Sequence, residues 1–69
     1  MRDLFIDALK RKYEAEIAAG KATAKVYFDK PVAIGEHPQF LDELDKVLTK
    51  ISNAEENLKT LDKYLNNRI

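Results

Sequence analysis

Only one side chain in this sequence, His37, changes charge near neutral pH without help from its surroundings. A metal would need further nitrogen or sulfur donors, and the chain has no cysteine. The carboxylates come in close pairs, Glu14 with Glu16 and Glu55 with Glu56. Convergent in a dry cleft, such pairs could do general acid–base work. On a helix they read as a solvated face, because charged residues are seldom buried. Glu16 and Glu55 border apolar stripes, and an inward-facing Glu in a four-helix bundle can ligate metal. Di-metal bundles pair such Glu residues with Glu-x-x-His, which is missing from this sequence, so boundary salt bridges to lysines such as Lys12 or Lys59 are expected instead. His37 precedes Pro38 and suits the N-cap region of a following helix. No GxxxxGK phosphate loop, nucleophile elbow or HExxH occurs. The residues therefore predict no catalytic, metal or cofactor site, and a protein that is not an enzyme by itself.

Binding to nucleic acid is the second chemistry to weigh. Lys10, Arg11 and Lys12 form a basic triplet, and Lys21 and Lys25 follow on the same segment. Tyr13, Tyr27 and Tyr64 could stack bases. Tyrosine at helical spacing more often belongs to a core, with its hydroxyl reaching water. Glu14 and Glu16 come directly after the triplet, and the chain's twelve Lys/Arg cancel against twelve Asp/Glu. Tight sequence-independent binding needs several phosphate contacts from a basic surface. Weak single-strand binding through Lys10, Arg11, Lys12, Lys21 and Lys25 is thus the alternative reading, behind protein interaction.

These residues sit on two periodic segments. Phe40, Leu44, Val47, Ile51, Ala54, Leu58, Leu61 and Leu65 follow an unbroken 4-3-4-3 spacing, the seam of a helix that packs on another helix. Leu41 and Leu48 widen that stripe. Ile6, Leu9, Tyr13, Ile17, Gly20, Ala24 and Tyr27 mark a first helix, with Phe5 and Phe28 flanking it. The predicted boundaries are about 3–29 and 38–66, with a loop at 30–37 containing both prolines of the chain or abutting them. Folding back about Ile34 gives a two-helix antiparallel hairpin in which Tyr13 nears Ala54, and Gly20 nears Val47 and Leu48. Small then faces large, as close packing requires. The fold class is all-α, a single domain spanning 1–69. Its two halves carry opposite charge: +2 over 1–30, where seven Lys/Arg meet five Asp/Glu, and −2 over 36–69, where five meet seven.

The loop is more than a short polar turn. Pro31, Val32, Ile34, Gly35, Glu36, His37 and Pro38 combine β-branched apolar residues with prolines. Either Val32 and Ile34 fold inward and plug the end of the hairpin, or they form a rigid apolar recognition knob. A domain this small without disulfides usually gains stability from a partner. Pairing two hairpins into a dimeric four-helix bundle would bury the stripe's wet flank, Leu41, Leu48, Phe5 and Phe28. No apolar run approaches the roughly 20 residues that a bilayer-spanning helix needs, and the N-terminal residues do not read as a signal peptide. A cytoplasmic location is expected.

The run Val26-Tyr27-Phe28-Asp29-Lys30-Pro31-Val32-Ala33-Ile34-Gly35-Glu36-His37-Pro38, followed by an amphipathic helix, resembles small helical proteins of T4-like bacteriophages. It is similar in particular to the kind encoded with the UvsW recombination helicase. The resemblance implies a helix-loop-helix accessory of phage DNA metabolism, working in the infected host's cytoplasm beside a helicase, with weak affinity for single strands. Together these readings predict a non-enzymatic, homodimeric accessory or interaction protein.

Overall fold

The computed structural model describes residues 1–29 and 39–65, and within them the chain forms two helices and no strand. Helix α1 runs Arg2–Phe28 and α2 runs Gln39–Tyr64. Both fall within a residue or two of the predicted boundaries. The predicted loop and Pro38 lie outside the described residues.

Local chemistry explains the ends. Asp3 lies in the first turn of α1, where a carboxylate opposes the positive end of the helix dipole. At the other end Asp29 remains in right-handed helical geometry and its N–H reaches the Lys25 carbonyl at 2.9 Å. The Lys25 ammonium in turn pairs with the Asp29 carboxylate at 3.2 Å. In α2, Asp42 in the first turn and Lys63 in the last complement the dipole.

The helices pack antiparallel along their length, giving a rod of 52 × 15 × 15 Å. Ile6, Phe40, Leu44, Ala54 and Leu61 are its buried apolar side chains among the described residues, joined by Gly20. Leu9, Tyr13, Ile17, Ala24, Tyr27, Val47, Ile51 and Leu58 are half-buried at the seam. Every one of these positions belongs to the two predicted stripes. Ala54, only 1% exposed, marks the tightest part of the α2 stripe. At one end the Tyr27 and Phe40 rings meet edge to face, 5.3 Å between centroids. At the other end the Arg2 guanidinium donates to the Leu65 carbonyl at 2.6 Å, satisfying a backbone acceptor that α2 leaves unpaired at its C-terminus.

Three sequence expectations need correcting. Gly20 meets Ile51 as its closest neighbour, although Val47 lines the same groove. Leu48 points away, since it lies one residue off the 47–51–54 stripe and so about 100° around the helix. Leu65 is exposed because α1 begins at Arg2 and offers little beyond it to cover the last stripe position. Tyr64 is also exposed rather than part of the core, with the Lys63 ammonium 5.1 Å from its ring centroid.

Candidate functional site

A two-helix rod has two long sides, and the grooves between its helices identify them. Along one side, Ile17 lines a groove with Ser52, Glu55 and Lys59, and Lys10 lines its continuation with Leu58, Leu61 and Asp62. Along the opposite side, Glu16, Ala19 and Thr23 face Val47 and Lys50 across Gly20. These are shallow seams walled by lysine stems and carboxylates. Lys10, Glu55, Glu56, Lys59 and Asp62 border the first of them from exposed positions.

The predicted nucleic-acid residues lie along α1 and are all exposed, but most are engaged by carboxylates one turn away. Arg11 Nε donates to Asp7 Oδ2 at 2.8 Å. That hydrogen bond, with the Asp7 charge, raises the Arg11 pKa above its already high ordinary value. Lys12 donates to Glu16 at 3.3 Å, the boundary salt bridge expected for that glutamate, and also lies 5.5 Å from the Tyr13 ring centroid. Lys25 pairs with Asp29. Lys10 borders Asp62 in the groove, and Lys21 is exposed. The basic triplet does not act as a unit, because successive helix positions diverge by about 100°. Lys10 falls on one side of the rod and Lys12 on the other.

Glu14, Glu55 and Glu56 are exposed, consistent with a solvated face. Among the described residues no group of three His, Asp or Glu side chains could hold a metal ion, and no helix is long and apolar enough to cross a membrane. The candidate recognition loop, comprising Pro31, Val32, Ile34, Gly35, Glu36, His37 and Pro38, lies outside the described residues.

The most distinctive surface feature is apolar. Phe28 is 65% exposed, Leu41 70% and Leu48 59%, and Phe5 is similarly exposed. These four are the flanking residues that the periodicity leaves wet in a lone hairpin. Helical geometry assigns them to sides. Phe28 lies eighteen residues, about five full turns, beyond Lys10, and therefore shares its side. Leu48 precedes Glu55 by seven residues and Leu41 precedes Leu48 by seven, about two turns each, so both lie on that side as well. Phe5, about five turns before Thr23, belongs to the opposite side. The sequence singled out all four residues, and once the grooves fix which flanks of α1 and α2 share a side they divide three to one between the two faces.

Comparison of the chain with protein-family models, with curated proteins and with solved structures gives no match.

Proposed function

We propose that this chain is a non-catalytic interaction protein that acts as a homodimer, two hairpins pairing into a four-helix bundle. Surface area is the observation that carries the reading. The chain exposes 5633 Å², whereas a globular monomer of 7.9 kDa exposes about 4,400 Å². Its radius of gyration is 15.7 Å, against about 11 Å for a compact chain of 69 residues. The excess of about 1,200 Å² per chain exceeds the roughly 800 Å² that each partner buries in a standard stable interface. Pairing hairpins side by side removes that excess and covers the exposed flank of the stripes.

In this reading the bundle is the scaffold and the proline-bounded loop is the element that meets a further protein. The assignment of that protein to phage DNA metabolism, as a helicase, rests on the resemblance of residues 26–38 alone. Single-strand binding has less support, since Arg11, Lys12 and Lys25 are each engaged by a carboxylate and the net charge is zero. Sedimentation equilibrium tests the dimer, which should return about twice 7.9 kDa at micromolar concentration. Affinity purification with Ile34→Ser/His37→Ser beside the wild type tests the loop. Interaction predicts lost capture with an unchanged melting temperature, whereas a structural plug predicts lowered stability.

A further inference from the structure

We infer that a second copy of this chain covers the face carrying Phe28, Leu41 and Leu48, with the two-fold axis running along the rod so that corresponding helix ends lie together. This inference rests on the dimer reading above and adds the face and the direction of pairing.

The choice of face follows from where apolar area is concentrated. Phe28, Leu41 and Leu48 cluster on one side near the end where α1 stops and α2 begins, backed by half-buried Ile17 and Leu58 further along. The opposite side carries Phe5 and Tyr64 at the far end, the Tyr64 ring lying under the Lys63 ammonium, with Glu16, Lys12 and Lys50 between. An isologous interface needs a self-complementary patch, and the first side supplies the one made wholly of apolar side chains.

The direction follows from the level of each residue along the rod. The Tyr27–Phe40 ring pair places the C-terminal end of α1 beside the N-terminal end of α2, so Phe28 and Leu41 stand at nearly the same height. With the axis along the rod, each α1 lies over the partner's α2 at equal height. Phe28 then meets Leu41 of the partner subunit, and the reverse contact repeats it. Neighbouring helices in the resulting bundle are all antiparallel. With the axis across the rod, full overlap would set Phe28 and Leu41 over the far end of the partner, where the same side presents Lys10, Lys59 and Asp62. Apolar side chains would then displace water from charged ones, whereas the longitudinal axis sets apolar against apolar at one end and Lys10, Lys59 and Asp62 against their charged counterparts at the other, so the longitudinal axis is favoured.

The test uses three substitutions and one distance. Leu41→Glu should weaken self-association at least about a hundredfold, because each change counts twice in a two-fold interface and a buried leucine carries about tenfold or more. Helical circular dichroism should persist, since Leu41 is largely exposed in the single hairpin. Phe5→Glu, on the other side, should leave the dimer intact. With no native cysteine, Gln39→Cys carries a single spin label at the exposed first residue of α2. The longitudinal axis places the two labels of a dimer within the bundle's width, about 20–30 Å. A crosswise axis separates them by most of the helix length, about 40 Å or more. A dimer dissociated by Phe5→Glu but not by Leu41→Glu, or one with the long label distance, overturns this inference and leaves the dimer reading standing. A monomer at high micromolar concentration overturns both.

Discussion

Gly20→Ala should destabilise this protein even though alanine is the better helix former, and the sign should reverse when Ile51 is shortened. A Cβ built on Gly20 would lie 2.5 Å from Ile51 Cγ1 and 2.9 Å from Cδ1, well inside ordinary van der Waals contact. The terminal Cδ1 can swing away. Cγ1 cannot move without changing χ1, and a β-branched residue in a helix has one strongly preferred χ1. Either the rotamer changes or the helices separate, at an overpacking cost of about 1–3 kcal/mol. Helix propensity returns about 1 kcal/mol. The net loss is about 0–2 kcal/mol, and each kcal/mol lowers Tm by about 4–8 °C in a domain of this size. Ile51→Ala alone should cost about 2 kcal/mol, the low end for such truncations because Ile51 is half-buried. In that background the obstacle is gone, so adding Gly20→Ala should stabilise by about 1 kcal/mol. Urea unfolding of the four proteins, followed by circular dichroism at one protein concentration because association contributes to stability, yields the coupling, expected at about 1–3 kcal/mol. If Gly20→Ala stabilises equally in both backgrounds, the close approach of the helices at this point is wrong.

Phe40→Ala should cost about 3–5 kcal/mol and leave little folded protein, because the ring is buried at the end of the seam. A double-mutant cycle with Tyr27→Ala should isolate about 0.5–1.5 kcal/mol for the edge-to-face pair, and zero coupling would discount it. Ala54→Leu should destabilise by about 1–3 kcal/mol, measured by thermal melting, since no space surrounds that methyl group. Replacing Lys10, Arg11 and Lys12 together with alanine should leave binding to a fluorescent single strand as weak as before, with a shallow salt dependence; a steep slope lost in the variant would favour the nucleic-acid reading. Asp7→Ala should leave the melting temperature unchanged, because the Arg11 pair is solvent-exposed and readily screened.

Much of this architecture is legible in the order of residues. The 4-3-4-3 spacing from Phe40 onward and the looser stripe from Ile6 to Tyr27 name the seam, since a helix brings every third or fourth residue to one side whatever surrounds it. The Lys12–Glu16 bridge and the end of α1 before Pro31 follow from equally local rules. Local rules stop at the contact between helices. Whether Val47, Leu48 or Ile51 fills the gap at Gly20 depends on how two rods slide and rotate against each other, and a shift of one residue turns a side chain by about 100°. Helix periodicity already separates Phe5 from Phe28 around α1 and aligns Leu41 with Leu48 on α2, but which flank of α2 joins which flank of α1 is set by the way the hairpin closes. Composition and periodicity determined two amphipathic helices with a small-residue gap, by backbone geometry alone. Only the tertiary structure decided that Ile51 occupies the gap and which flank of α1 shares a side with which flank of α2, because both depend on the packing of one helix against another.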